Sequence, residues 1–398
     1  MAGIINIPKK GPLILACNHP NSFLDAIWVG VCCPRQMHFL ARGDVFDKPW
    51  KRAILGAMNM IPIFRQEEGP ESLALNKITF DRCQALLEQG KIILIFCEGV
   101  CVSEKRLRPL RKGTARILQP LLAQPALADK LVVLPVGLNY YSPQTLRQEA
   151  SLFFGQPIQL PPAHQWADEP AKAILAFNKT LFAALEELLL VSPARELDTT
   201  TDALLRYAPR YHQAYDQLRH HQSLLQHIGS EHDALGKQLA AVERQHRMSA
   251  FVVQKGKASV LDFAIATFGT LLILPGLAFL AAPFGLASFV AKKKIRKVEF
   301  YDSVFLGLFY VAQHLLLLVV FISLGVGVHW LLAIVATIPI LWSGHFLCTI
   351  YLESFLACRS QLFHNAALRR AHHLSQQLVE QVEKAAEQAV QFRTRVAG

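Results

Sequence analysis

Charge is missing from two long stretches of this 398-residue chain: Phe263–Ala291 and Ser303–Leu352 contain no Asp, Glu, Lys or Arg. All charged residues therefore fall on the rest of the chain, whose composition is that of an ordinary globular protein. This distribution argues against a fully soluble protein, a disordered chain and a transporter of many spans. It predicts a soluble part with a membrane part attached near the C-terminus. A secretory start is also lacking, because Met1–Lys10 has no basic opening followed by an apolar core and a small-residue cleavage site. The eight cysteines sit mostly in apolar runs, which fits free thiols in a reducing cytosol better than a disulfide framework. Metal-ligand motifs are scarce. Cys97-x-x-x-Cys101 has no second pair nearby, and the histidines at 212, 220, 221, 227, 232 and 246 form no H-E-x-x-H pattern, so a solvated helical face is expected there and no metal. Acidic residues are outnumbered, giving a net charge of +11. No nucleic-acid-binding motif accompanies that excess, and its cations flank apolar runs, so nucleic acid is not the expected partner.

What is present divides the chain. Residues 1–194 alternate short aliphatic runs with helical patterns: strands over Leu13–Cys17, His38–Ala41, Met60–Phe64, Ile92–Phe96 and Leu131–Val136, helices over Phe23–Cys33, Trp50–Met58, Ser72–Gln89 and Lys112–Leu122. Such alternation predicts an α/β domain with a mostly parallel central sheet. Residues 195–250 read as a helical linker broken near Gly229. Residues 251–360 are expected to form a membrane domain. It comprises a re-entrant hairpin over 263–291 bent at Pro275-Gly276, with a single crossing as the alternative, then transmembrane helices at about 303–325 and 329–352. The cations at Lys255 and Lys257, over 292–297, and at Arg359, Arg369 and Arg370 place all three flanks on the cytoplasmic side. Lys292–Lys297 also suit anionic headgroups. Residues 361–398 form an amphipathic helix with Leu368, Leu374, Leu378, Val382, Ala385 and Ala389 on its apolar side. Pairing with the 195–250 segment as a stalk, self-association into a homodimer and adsorption on the bilayer surface all remain open for it.

The chemistry concentrates in Asn18-His19-Pro20-Asn21-Ser22-Phe23-Leu24-Asp25, on the turn leaving the first strand. Pro20 keeps His19 extended, and Ser22 is a good helix N-cap. The positive end of the helix favours a neutral imidazole, and Asp25, one turn in, can reach back to the ring N–H. That is an acid–base pair suited to removing a proton from an alcohol. The plainer alternative makes Ser22-x-x-Asp25 a capping box and His19 a turn residue. Further polar or glycine positions stand at strand ends: Arg65 after Met60–Phe64, Glu98-Gly99 after Ile92–Phe96, and Gly137 after Leu131–Val136. A core alone does not require them.

Asn18-His19…Asp25, Phe64-Arg65, Phe96-Cys97-Glu98-Gly99 and Leu134-Pro135-Val136 resemble, in order and spacing, the four blocks of the glycerolipid acyltransferases. These are the glycerol-3-phosphate and lysophosphatidate acyltransferases, and the resemblance covers roughly residues 5–190. The phrases His19-Pro-Asn-Ser-Phe-Leu-Asp25 and Arg106-Leu-Arg-Pro-Leu-Arg-Lys-Gly113 are similar to the glycerol-3-phosphate/dihydroxyacetone-phosphate branch, which includes fungal enzymes and bacterial relatives with membrane segments after the catalytic domain. The five residues between His19 and Asp25 match that branch, where most of the family has four. Cys101 stands where serine is usual and Cys97 where proline is common. The chain begins almost at the first block, so the N-terminal helix often found in relatives is expected to be absent.

The resemblance implies a membrane-bound acyltransferase in which His19, oriented by Asp25, takes a proton from a glycerol hydroxyl as it attacks an acyl thioester. No covalent intermediate and no cofactor beyond the acyl-CoA or acyl-carrier-protein co-substrate is implied. Asn18, Arg65, Glu98, Gly99, Arg106 and Arg108 are the implied acceptor-binding residues, with Arg65 on the phosphate, since a guanidinium fork suits that geometry. The basic run from Lys105 to Arg116, just before a helix start at Gly113, suits phosphate in the same way. Expected partners are membrane lipids, the acyl thioester and a glycerol phosphate, and the expected location is the inner or cytoplasmic membrane with the catalytic domain facing the cytoplasm. Lysophosphatidate is the alternative acceptor. Two other classes are weighed beside it: a thiol enzyme using Cys97 or Cys101, and a non-catalytic membrane adaptor. Intact His19, Asp25, Arg65 and Glu98 argue against the adaptor.

Overall fold

Aliphatic runs flanked by glycine, proline and polar residues become strands, because β-branched and Leu side chains fill both faces of a buried sheet. The computed structural model describes residues 1–64, 70–122, 128–141, 149–246, 248, 250–255, 257–294, 298–327 and 352–397. They fall into two units: Met1–Tyr140, Gln148–Val191 and Tyr211–Gln222 make the first, and Tyr141–Arg147, Ser192–Arg210 and Ser223–Gly398 the second.

The first unit is built on six strands: β1 (Leu13–Cys17), β2 (Met37–Arg42), β3 (Met60–Ile63), β4 (Ile92–Phe96), β5 (Val132–Tyr140) and β6 (Ala150–Phe154). Their order is β3-β2-β4-β1-β5-β6, with every pairing parallel except β5–β6. The helices of this unit are α1 (Ser22–Cys32), α2 (Pro49–Ala57), α3 (Pro70–Glu88), α4 (Gly113–Leu122), α5 (Ala163–Asp168) and α6 (Pro170–Glu186). From β1 the chain moves outward through β2 to β3, then returns to β4 and crosses to β5. Right-handed crossovers therefore put α1 and α2 on one face and α3 and α4 on the other. The buried side chains agree, alternating along each strand. Leu13, Leu15, Leu94 and Val136 pack with Val29 of α1, whereas Ile14, Ala16, Ile93 and Val133 pack with Leu87 of α3, Ile117 of α4 and Phe177 of α6. The chain leaves β1 and β4 toward opposite faces, which makes the gap beyond their carboxyl ends the switch point where such sheets bind ligands.

One part of this unit is unusual for a water-soluble surface. Phe23, Ile27, Trp28 and Val31 are exposed along α1, and Trp50, Ile54 and Met58 at every fourth position from α2 onward. No residue of α2 is buried. A helix of such composition normally buries an apolar stripe.

The second unit is helical: α7 (Asp198–Tyr207), α9 (Ser230–His246), α10 (Ala250–Lys255), α11 (Val260–Lys294), α12 (Val298–Gly327), α13 (Leu352–Phe363) and α14 (Asn365–Ala397), while α8 (Ala214–Leu225) lies mainly in the first unit. Buried Leu368, Ala371, Leu374, Leu378 and Val382 recur every three or four residues on α14, which packs along α7 and α9. Arg206 of α7 pairs with Glu243 of α9 at 2.6 Å, and Tyr207 also donates to Glu243. Phe284 of α11 meets Phe305 and Phe309 of α12 edge-on.

Several expectations change. The 195–250 segment is not a separate linker, since Tyr211–Gln222 belongs to the first unit and the rest to the second. Gln222 there caps the carbonyls of Glu187 and Leu189 at the end of α6. The histidine-rich face is not wholly solvated either. His221 and His232 are buried, and the His232 ring accepts the Gly229 N–H just ahead of α9. Instead of a re-entrant hairpin bent at Pro275-Gly276, residues 260–294 run as one helix. A proline inside a helix costs one backbone bond and a local clash, which a long apolar helix absorbs without reversing. Among the described residues no helix is long and apolar enough to cross a membrane. The span expected at 303–325 lies within α12, and nearly all of that expected at 329–352 lies outside the described residues.

Candidate active site

The register places Cys17 opposite Phe96 of β4 and Val136 of β5. The residues just beyond those three positions form the site. Asn18 leaves β1 and turns its side chain onto β5, donating to the Leu138 carbonyl at 2.9 Å and accepting the Leu138 N–H at 2.8 Å. Such a two-way amide clasp replaces a missing rung of the sheet. His19 comes next, and its backbone is held on both sides. Its N–H donates to Glu98 at 2.9 Å, and its carbonyl accepts the Val102 N–H at 3.2 Å. Its ring lies flat on Phe96, with centroids 3.9 Å apart.

Pro20-Asn21 then turns the chain into α1, whose first turn carries Asp25. The Asp25 carboxylate is completely buried and has three partners: the His19 Nδ1 at 2.8 Å and the Asn21 N–H at 2.8 Å on one oxygen, and the Tyr140 hydroxyl at 2.8 Å on the other. Burial pushes the Asp25 carboxyl up from the usual carboxylate range, while the bonds from His19, Asn21 and Tyr140 pull it back down. Burial and the adjacent carboxylate also raise the Tyr140 hydroxyl well above its ordinary value, so it stays a donor. The His19 side chain keeps 17 % of its surface exposed. An ionised Asp25 fixes the Nδ1–H tautomer and leaves Nε2 with its lone pair. The cap of α1 is Asn21 rather than Ser22, and no side chain caps it. Ser22 has φ of 48°, a left-handed conformation rare outside glycine, and its N–H donates to the Cys101 sulfur at 2.9 Å. The return half of a capping box survives in the Asn21–Asp25 bond, so the structural and the chemical readings of Asp25 are both realised.

The other expected site residues divide. Glu98 is buried and spends both carboxylate oxygens on backbone, the second accepting the Arg108 N–H at 3.3 Å. It ties the β4 turn to the His19 loop rather than presenting a free acceptor-binding carboxylate, and burial raises its carboxyl. Asn18 is likewise buried and spends its side-chain amide on the Leu138 backbone. Gly99 takes φ of 68°, and a Cβ there would lie 2.8 Å from the Arg111 Cγ. Arg106 and Arg108 reach Glu104 at 3.6 and 3.1 Å and stay about a third exposed, on the same loop. Arg65 lies outside the described residues. Cys97 is buried, and burial pushes its thiol up to about 12, an inert state for a nucleophile. Tyr140 was not foreseen. The period-two run Leu134, Val136, Leu138, Tyr140 shares the face of Cys17, and following it past Gly137 would have found this residue.

This arrangement places an imidazole at the mouth of the switch-point gap with Nδ1 held by Asp25. Comparisons with known proteins converge on the same region. The acyltransferase family model matches residues 1–139. The 1-acyl-sn-glycerol-3-phosphate acyltransferase of Bacillus subtilis is 30 % identical over 115 residues, 29 % of this chain and 53 % of that protein. An uncharacterized acyltransferase of Schizosaccharomyces pombe is 28 % identical over 136 residues, 33 % of this chain and 20 % of that protein. The chain thus spans about half the length of the first relative and a fifth of the second. His19, Asp25, Glu98 and the strands that carry them all lie inside the matched residues, so the N-terminal part of the chain is similar to the acyltransferases in the region that holds the site.

Proposed function

We propose that the protein transfers a fatty acyl group from a thioester donor to glycerol-3-phosphate. His19 Nε2 takes the proton of the acceptor hydroxyl as its oxygen attacks the thioester carbonyl. The tetrahedral intermediate collapses, expelling the thiolate, which recovers that proton from His19. No group on the enzyme is acylated, because the thiolate leaves readily. The observation that carries this reading is the Asp25 carboxylate, fully buried and bonded at 2.8 Å to His19 Nδ1. Arg106 and Arg108 supply positive charge near the acceptor phosphate, a role proposed for Arg65 as well. Acyl-CoA or an acyl-carrier protein serves as co-substrate, with no cofactor.

Lysophosphatidate is the second reading, favoured by the name of the B. subtilis relative. The phrases around His19 and Arg106 favour glycerol-3-phosphate. Membrane attachment completes the proposal, with the catalytic unit on the cytoplasmic side. It is supported by the charge-free runs and by the apolar stripes of α1 and α2, whose Trp28 and Trp50 suit the interfacial zone and whose Lys48, Lys51 and Arg52 suit anionic headgroups. The deciding experiment supplies radiolabelled glycerol-3-phosphate and lysophosphatidate side by side to membranes containing the protein, with His19→Ala as the blank. Label in lysophosphatidate supports the first reading and label only in phosphatidate the second. Equal turnover in the blank removes the mechanism.

A further inference from the structure

Cys101 plays no part in the proposed chemistry, yet the fold brings it to the base. The Cys101 sulfur, a ring nitrogen of His19 and a carboxylate oxygen of Asp25 all lie within 4.8 Å of one another. Among the described residues this is the one group of three or more such side chains close enough to share an ion. We infer that these three side chains form a site for a zinc-class divalent cation, and that the cation, when bound, stops acyl transfer.

The donor set is one nitrogen, one oxygen and one sulfur, which suits a borderline-soft ion. Three protein ligands with an open fourth position is the arrangement zinc adopts where it also meets solvent or substrate. Zinc bonds of about 2.0–2.3 Å put tetrahedral ligand atoms roughly 3.3–3.8 Å apart. The 2.8 Å His19–Asp25 pair must open slightly and the wider separations must close by about an ångström, within reach of side-chain motion alone. Entry is available because the His19 ring is partly exposed and Cys101 only half-buried, while Asp25 contributes a buried carboxyl oxygen. On binding, the Cys101 thiol releases its proton to solvent and its sulfur becomes a thiolate ligand.

Either ring nitrogen gives the same result. A cation on Nδ1 replaces the proton shared with Asp25 and leaves the ring's proton on Nε2, where no lone pair remains for the alcohol. A cation on Nε2 occupies the base itself. The inference rests on the general-base reading only for this inhibition, since cation binding is measurable without turnover.

The test uses the intact chain in detergent, with Co²⁺ as the spectroscopic probe and Zn²⁺ as the inhibitor. The wild type is expected to show a thiolate-to-cobalt absorption band that Zn²⁺ displaces. Cys101→Ser and His19→Ala are each expected to lose it, and Cys32→Ser to keep it. Zn²⁺ should inhibit wild-type transfer, with recovery on adding a chelator. The inhibitory concentration should rise for Cys101→Ser by at least about tenfold, the loss that removing even an outer partner of a metal ligand brings. Absence of the band in the wild type, its survival in Cys101→Ser, or equal Zn²⁺ sensitivity of the two proteins overturns the inference. A protein that transfers no acyl group but shows the Cys101-dependent band refutes the proposed function and leaves the site standing.

Discussion

At the residue scale the dyad is a local device held by distant support. His19 and Asp25 are six residues apart, so turn chemistry alone could suggest their pairing. The group that completes it, Tyr140, is 115 residues from Asp25. Removing that donor has a definite sign. The Tyr140 bond pulls the Asp25 carboxyl down against the upward push of burial, so Tyr140→Phe lets it rise further. The dyad needs Asp25 ionised, and the acid limb of the pH–rate profile should therefore move to higher pH. A profile measured from pH 5 to 9 checks this; a uniform drop in rate with an unmoved limb would show that Tyr140 only fills space. His19→Ala should cost about a hundred- to ten-thousand-fold in kcat, the range of a lost general base. What the sequence showed at this scale was residue type at strand ends. What it hid was how each polar group spends its bonds. Asn18 and Glu98 stand where substrate-binding residues are expected, yet Asn18 clasps Leu138 and Glu98 holds the His19 and Arg108 amides.

Among elements, the first five strands and the helices between them were legible because each is a short aliphatic run or a 3.6-residue period bounded by a clear break. β5 ends at Tyr140 rather than Val136, since Pro135 and Gly137 obscure the pattern. β6 was missed because Ala150–Phe154 gains its strand character from antiparallel pairing with β5. The turn after β4 makes a specific backbone demand. Gly99 combines a left-handed φ with a tight approach to Arg111, and the neighbouring Glu98 depends on that turn to reach the His19 amide. Gly99→Ala should therefore destabilise the protein by about 1–3 kcal/mol, read by chemical denaturation. It should also lower kcat, whereas Gly113→Ala, at an open position, should do neither. For α1 and α2, helical period was legible but the direction of the apolar face was not, because it turns outward. If that face lies in the bilayer interface, phosphatidylcholine nanodiscs containing doxyl-labelled lipid will quench tryptophan fluorescence. Trp28→Phe/Trp50→Phe will remove part of that quenching. An unchanged quenching fraction would place both side chains away from lipid.

On the scale of the whole molecule, the proposed membrane attachment would draw on two kinds of attraction, and their strengths differ. The net charge of +11 favours anionic lipid, but each cation near the surface contributes only about 1 kcal/mol and is screened within about 10 Å at 0.1 M salt. The charge-free stretches act differently. Roughly 20 apolar residues suffice to cross the hydrocarbon core, and Ser303–Leu352 provides 50 without Asp, Glu, Lys or Arg. Insertion of even one such segment is effectively irreversible, which electrostatic adsorption never is. The extraction behaviour of the intact chain follows from that inequality. High salt should leave it in the membrane fraction, alkaline carbonate should leave it there too, and only detergent should release it. Release by salt would make the basic surface the sole anchor, and release by carbonate but not salt would assign the attachment to the interfacial stripes of α1 and α2. Either result would contradict a spanning role for 303–352, whereas retention under both conditions would support the proposed membrane attachment.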